Sequence, residues 1–482
     1  MLGDMGAADA TELAGWIAKG EVSPSELLDA ALAAVTKHNP ALNAVVLIEE
    51  GAARAAIKAG LPLGPFRGVP FLLKDLGCEA VDFPSHNGSR LFANTRYSRN
   101  SAIFDRIRAT GVVTFGRSTA PEGGIGPATE SAVYGGPTRN PWNLEHTSGG
   151  SSGGAGAAVA AGIVAMAHGS DGGGSVRIPA SCCGLFGFKP TRARLPDGPY
   201  AGEGWAGMAI DGFLTRSVRD TAVMLDACEG PDLGAPYVAP PLQQGHAAAI
   251  SRPPRRLRIA LCDTTLTGGA VDPQVQAVVL QTARLLESLG HHVAPARPTA
   301  DVAMMMRAWT DIVAVGTALY IETALAGKPA RADQIEAVSR GAIAHSARLS
   351  PTRYLAAVGE IHAFGRQMAA FFEPEAGHGY DIVLTATLAE PPAKVGRFGH
   401  QSEDYLAYRI GPDGVFAYSP FCAPFNASGQ PAASLPLGWT ADGLPIGVHL
   451  AAAFGQDETL IALCAEIERA APWMHLRPPN YA

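Results

Sequence analysis

An α/β fold, a wound sheet with helices on its faces, is predicted by three features of the 482-residue chain. Gly68-Val69-Pro70-Phe71-Leu72-Leu73-Lys74-Asp75 is a continuous apolar run ending in two charges, as expected of a strand buried on both faces. A helical stretch around Ala102 to Arg108 then leads into a second apolar run, Gly111 to Gly116, and this alternation repeats downstream. Hydrophobic residues make up 47% and charged residues 17%, with 56 glycines and 37 prolines, a balance that describes a large core, small-residue packing and many turns.

The first sixty residues read as helices. Ser23-Pro24-Ser25-Glu26 combines an N-cap serine, a proline at the first helical position and a glutamate placed to close a capping box. The helix that follows runs to about His38, with Leu27, Leu28, Ala31, Leu32 and Val35 on one face. After a glycine-dense segment from Gly123 to Gly174, the stretch from Gly230 to Arg256 reads as a long surface connection. Arg258 to Cys262 is a strand, Val271 to Gly290 a helix, and His292-Val293 begins another strand; His291 and His292 mark a solvated helix end. Ala300 to Phe372 is mostly helical, and Asp381 to Thr385 is a buried strand. Ala433–Gly438 and Ile446–Leu450 flank the turn Asp442-Gly443 as a hairpin, and a helix from Asp457 to Ala471 closes the chain.

Composition excludes several function classes. Lysine plus arginine total 37 against 44 aspartate plus glutamate, a net charge of −7, so no basic surplus exists for a phosphate backbone and nucleic acid is not an expected partner. The seven cysteines form no C-x-x-C pair, and Cys182-Cys183 reads as two small buried thiols. The N-terminus carries Asp4 and Asp9 and no basic, apolar signal segment, and the longest weakly polar stretch, Gly153 to Ala167, is too short and too rich in Ala and Gly to span a bilayer. The expectation is a cytoplasmic protein with no membrane partner.

The chemistry-bearing residues lie between His146 and Pro190. Two serine-bearing glycine clusters, at Ser151 and Ser175, are separated by an Ala/Gly helix. Gly172-Gly173-Gly174-Ser175 would present consecutive N–H groups toward one point, an anion-binding nest of the kind an acyl-transfer oxyanion hole requires. A short helix opening at Val176-Arg177-Ile178 would add its dipole, with Pro179 tolerable in the first turn; a plain flexible turn is the simpler alternative. Gly149-x-Ser151-x-Gly153 satisfies the nucleophile-elbow pattern, but no hydrophobic strand precedes it in Asn143 to Ser148, which argues against an α/β-hydrolase. No phosphate loop, dinucleotide fingerprint or H-E-x-x-H zinc motif occurs. His168 and His146 are alternative bases near the serines. Lys74 ends a buried strand, where lost solvation lowers the amine pKa and allows it to take a proton; taken alone, it reads equally as an ion pair with Asp75.

Together, Lys74-Asp75, Gly149 to Gly154, Gly169 to Ala180, Cys183-Gly184 and Gly187 to Thr191 resemble the amidase signature family. The similarity continues through Phe213 to Asp220 and Pro445 to Val448 and covers nearly the whole chain. It implies an amidase-signature fold, with a mixed central β-sheet covered on both faces by helices. One domain is expected over 1–482, with N-terminal helices at 1–60, a signature core at 61–230 and a second α/β part shaping the pocket at 231–482. The resemblance implies a Ser–cis-Ser–Lys triad, with Ser175 as nucleophile, Ser151 as bridging serine after a cis Gly150-Ser151 peptide, and Lys74 as base. The N–H groups of Gly172, Gly173, Gly174 and Ser175 match the oxyanion hole. Ser152 supports the network, and Asp171 and Arg177 form a structural ion pair beside the site. Two departures stand out. Gly172 replaces a common Thr, Ile or Ala and should loosen the loop, and Gly116-Arg117-Ser118-Thr119 replaces Gly-Lys-Thr-Asn outside the triad.

No cofactor or metal is implied. Asn140 to Leu144, Ser175 to Ser181 and Pro424 to Pro431 look nearest to the branch of 6-aminohexanoate-cyclic-dimer hydrolases, whose relatives cleave aryl amides and carbamates. Tyr134, Trp205 and Trp309 are candidate pocket residues. The expected partner is a small-molecule amide or carbamate, with esters as easier side substrates, acted on by a monomer or homodimer. The alternative is the glutaminase (A) subunit of a glutamyl-tRNA amidotransferase; a catalytically silent scaffold is disfavoured by the intact Lys74, Ser151 and Ser175.

Overall fold

In a computed structural model, which describes residues 6–329, 331, 333–374 and 379–481, the apolar runs become strands of one mixed sheet. In chain order the strands are β1 (Val45–Ile48), β2 (Pro70–Lys74), β3 (Val113–Ser118), β4 (Arg139–Asn140), β5 (Asn143–Thr147), β6 (Met166–Asp171), β7 (Phe186–Lys189), β8 (Ile210–Thr215), β9 (Arg258–Leu261), β10 (His292–Pro295), β11 (Ile382–Ala386), β12 (Ala432–Trp439) and β13 (Pro445–Ala452). The sheet runs β1-β3-β2-β6-β8-β7-β12-β13-β11-β9-β10, while β4 and β5 pair only with each other. Parallel pairs at β3-β2-β6 and β11-β9-β10 flank an antiparallel centre from β6 to β11.

Both faces are covered. Along β2, Phe71 and Leu73 point into a cluster with Phe104, Ile107 and Leu225, whereas Leu72 points to the opposite face with Leu28, Val35 and Ala158. Successive strand residues face opposite sides, so a run buried throughout needs a helix layer on each. Each fully buried Leu or Phe contributes ~1.5–3 kcal/mol. Toward the other end of the sheet, Ala260, Val383 and Ala451 pack under a third cluster containing Trp309, Ile312 and Phe364.

Most expected elements form. The Ser23–Glu26 capping box is present, and its helix, Pro24–Leu42, accommodates Pro40 and runs four residues past His38. Helices span Ala102–Ala109, Pro273–Ser288 and Asp457–Ala470, and the segment after Ala300 forms Val302–Leu325, Ala337–Ser346 and Pro351–Ala370. The hairpin expected at Ala433 to Leu450 is β12-β13, seated inside the sheet between β7 and β11. Cys182 and Cys183 are free, buried thiols.

Four expectations are corrected. The first sixty residues are not all helical, because Val45–Ile48 forms an edge strand on β3. A strand, β5, does precede Ser151, but its Asn-Leu-Glu-His-Thr sequence pairs with the two-residue β4 outside the main sheet, so it is no nucleophile elbow. His291 is buried: its Nδ1 accepts the Leu257 N–H at 3.1 Å and its Nε2 lies 2.9 Å from Glu466. Finally, among the described residues the helix Val302–Leu325, longer than Gly153 to Ala167, is long and apolar enough to cross a membrane; 61% of its apolar window is buried, as in a core helix.

Candidate active site

Three elements deliver the three expected residues to one place. Lys74 is the last residue of β2, Ser151 lies in the turn ahead of the helix Gly153–Ala160, and Ser175 sits between β6 and the helix Arg177–Cys183. The Gly150-Ser151 peptide is cis. Lys74 Nζ lies 2.7 Å from Ser151 Oγ and 2.9 Å from Ser170 Oγ. Ser151 and Ser175 line the same cavity. Ser175 Oγ has no hydrogen-bond partner among the described residues, and its carbonyl accepts the Ser152 N–H at 3.2 Å. Ser152 Oγ in turn bridges the backbone of Ser170.

Lys74 has no exposed surface. Burial lowers its pKa to about 7, against the opposing pull of Asp211 and Asp171. Asp75 does not pair with it: that carboxylate accepts from Ser85 Oγ, the His86 N–H and Tyr134 Oη. His168 is not a base for either serine. Its Nδ1 accepts the Lys74 backbone N–H at 3.3 Å, which leaves the proton on Nε2, 3.0 Å from Asp211 Oδ1. His146 lies on β5, and its ring Nδ1 has no hydrogen-bond partner among the described residues. The Arg117 substitution reaches the site from behind. Its buried guanidinium donates to the carbonyls of Lys74, Gly77, Cys78 and Phe83, bracing the turn after the lysine.

The glycine loop is fixed through its carbonyls. Asn426 Nδ2 donates to Asp171 O, Trp309 Nε1 to Gly172 O, the Ile178 N–H to Gly174 O and the Ser152 N–H to Ser175 O. With those acceptors occupied, the N–H groups of Gly172, Gly173 and Ser175 have no protein acceptor among the described residues. Gly174 is a correction: its N–H donates to Asp171 Oδ1 at 2.8 Å, so it organises the loop and is no oxyanion donor. Its φ of +123° is open to glycine and strained for other residues.

Asp171 and Arg177 form the expected pair, at 2.8 Å and without exposure on either side chain. Burial would raise the Asp171 pKa, but the Arg177 charge and the hydrogen bonds from Arg177 and Asn426 hold its carboxyl well below the usual range. Arg177 also reaches Asn426 Oδ1, Cys422 O and His449 Nε2. Burial and the Arg177 charge keep His449 neutral, so its nitrogen can accept. Ser170, Asn426 and His449 were not singled out from sequence; Ser170 and Asn426 stand inside the quoted motifs, whereas no local signal marks His449.

In front of the serines lies a cavity of about 300 Å³. Of the aromatic candidates only Trp205 lines it, with Tyr320 an addition. Tyr134 is corrected: its hydroxyl is tied to Asp75 Oδ2 at 2.6 Å, away from the cavity. Trp309 is corrected too, being buried behind the glycine loop. Gly172 has a role other than slack. A Cβ there would come within 2.6 Å of the Trp205 indole, and one on Gly316 within 2.8 Å, so the ring is seated between two glycines. The lining residues include Glu79, Glu122, Asp197 and Asp211 but no lysine or arginine. Burial, helped by neighbouring carboxylates, pushes Asp197 up to about 8 and leaves it largely protonated at neutral pH. No group of His, Cys, Asp and Glu among the described residues could hold a metal ion.

Comparison with known proteins gives a consistent result. The family model described as Amidase matches residues 26–461. The 6-aminohexanoate-cyclic-dimer hydrolase of Paenarthrobacter ureafaciens is 37% identical over 484 residues, covering 98% of this chain and 96% of that protein. An acylamidase of Rhodococcus erythropolis is 34% identical over 482 residues, covering 98% and 97%. The solved structure of a 6-aminohexanoate cyclic dimer hydrolase complexed with substrate superposes with a TM-score of 0.92 at 34% identity, over 99% of this chain and 100% of that one.

Proposed function

The chain belongs to the amidase signature family, and from that premise we propose that it hydrolyses small neutral amides, and carbamates of similar shape, through an acyl-enzyme on Ser175. The observation that carries this reading is the fully buried Lys74 amine, 2.7 Å from Ser151 Oγ, with Ser151 lining the same cavity as Ser175 and Gly172.

The steps follow from that arrangement. Ser175 Oγ bonds to the substrate carbonyl carbon while its proton passes to Ser151 and the Ser151 proton to neutral Lys74. The carbonyl π electrons become an oxyanion facing the N–H groups of Gly172, Gly173 and Ser175. Collapse breaks the C–N bond, and the leaving nitrogen takes the proton back through Ser151, because an amide anion is too basic to leave unprotonated. Water then attacks the acyl-enzyme, passing its proton along the same route, and releases the carboxylic acid with Ser175 restored. Ser175 Oγ has no hydrogen-bond partner among the described residues, and catalytic hydrogen bonds of this kind tighten when substrate binds and excludes water.

The lining favours neutral amides over glutamine. A free α-carboxylate entering the cavity would meet carboxyl groups and no lining lysine or arginine. The relatives' names, a cyclic amide dimer hydrolase and an acylamidase, point the same way. The test is a screen of the purified chain against anilides, lactams, carbamates and glutamine. Turnover of the first three classes, lost in Ser175→Ala, is expected. Retained activity in Ser175→Ala, or turnover of glutamine alone, would overturn the reading.

A further inference from the structure

Trp309, on the helix Val302–Leu325, sits behind the glycine loop and takes no part in the proton relay. Its indole Nε1–H donates to the Gly172 carbonyl at 3.3 Å. The peptide that follows Gly172 is trans, so its N–H, that of Gly173, points the opposite way from that carbonyl. One donor behind the loop therefore fixes the orientation of a peptide whose other end is free to face an anion. The indole is itself held firmly. Trp205 and Phe416 pack edge-on to it at 5.6 and 5.3 Å, and the Arg409 guanidinium lies 4.2 Å from its ring centroid.

Arg409 is 2% exposed, has no carboxylate in ion-pair reach among the described residues, and its Nε has no hydrogen-bond partner. A buried guanidinium left without a counter-ion is costly unless something else stabilises it, and here the face of Trp309 does so. A cation against the ring draws electron density from the indole and makes its N–H a stronger donor. Hydrogen bonds in a chain polarise one another, so a stronger bond to Gly172 O makes the Gly173 N–H a better donor in turn.

We infer that Trp309 is a positioning residue of the oxyanion hole, with Arg409 polarising it from behind. This rests on the reading of Ser175 as nucleophile. It assigns Trp309 to transition-state stabilisation and removes it from substrate contact.

The test compares wild type with Trp309→Phe and Arg409→Met, using an anilide that turns over and a trifluoromethyl ketone of the same acyl group. Ser175 Oγ adds to the ketone carbon, its proton leaves through the relay, and the adduct carries the oxyanion with no leaving group. Trp309→Phe should lower kcat about tenfold, less than loss of a direct oxyanion donor, with KM within twofold. The ketone inhibition constant should rise by the same factor, and Arg409→Met should move both quantities in the same direction by less. Unchanged kcat, or a fall in kcat with unchanged ketone affinity, would overturn the inference. If Trp309→Phe fails to fold, benzothienylalanine introduced at position 309, which keeps the bicyclic shape without the N–H, provides the same comparison. A wild-type enzyme that forms no ketone adduct would instead overturn the assignment of Ser175 itself.

Discussion

Lys74 Nζ meets Ser151 Oγ at 2.7 Å, with a second hydroxyl, Ser170 Oγ, at 2.9 Å and no carboxylate among the described residues hydrogen-bonded to the amine. An amine so placed, with a pKa brought to about 7 by burial, is half neutral at physiological pH. The rate of anilide hydrolysis should therefore rise with pH through about 7 and level off above it. Asp211 is the first of the two charges holding that pKa up. Asp211→Asn should move the acid limb to lower pH, and a limb displaced upward would contradict the assignment of Lys74 as base.

The same group sets a stability difference of known sign. Unfolded, the amine has a pKa near 10.4; folded, about 7. Between those values the unfolded chain binds a proton that the folded chain does not, so Lys74 weakens the fold as pH falls through this window, and the penalty is constant below it. Lys74→Met should be inactive yet more stable than wild type, with the gain in thermal midpoint larger at pH 7 than at pH 10. The upper limit of the penalty is about 5 kcal/mol, and the lost contacts to Ser151 and Ser170 reduce the net gain. A gain that does not shrink at pH 10 would rule out the depressed pKa.

Gly172 and Trp205 should be energetically coupled. Gly172→Ala brings a Cβ within 2.6 Å of the indole, so the ring must leave the cavity wall or the loop must shift. Activity should fall at least tenfold, and Trp205→Leu should restore part of it in the double variant. Neighbouring sites of this kind couple by 0.5–3 kcal/mol, and kcat/KM across the four proteins measures the coupling. Strict additivity would show that the contact does not matter.

Arg177 cannot be truncated safely. Arg177→Met leaves Asp171 as a buried carboxylate without its cation, a change that destabilises by about 3–5 kcal/mol. Thermal unfolding should show a large drop, and the surviving folded protein should have impaired acylation, because Asp171 anchors the N–H groups of Gly174 and Val176. Normal stability with normal acylation would disprove that anchoring.

The elements read best in the sequence are those whose signals are local. A continuous apolar run marks β2, and the capping box marks the start of Pro24–Leu42. β1 escaped because four apolar residues beside a helix carry no periodicity of their own, and β5 because its residues are polar. In the site, Ser151 and Ser175 stand out in glycine clusters, and Lys74 joins them through the family resemblance, since alone it reads equally as an ion pair with Asp75. The partners that hold the loop do not: Trp309, Asn426 and His449 lie 137, 255 and 272 residues from the groups they bond, and only folding brings them together. Tyr134 and Trp309 carried the right composition for a pocket wall and the wrong direction, which one-dimensional information does not contain.

That separation has a consequence during synthesis. A chain emerging from the ribosome presents the lysine, both serines and the glycine loop well before β12 and β13 are made. The clamp on Asp171 and Arg177 is completed by Asn426 and His449, which follow Arg177 by 249 and 272 residues. The nascent polypeptide thus carries the three proposed reactive side chains while still lacking the frame that aims them, and that frame closes only when β13 has been translated.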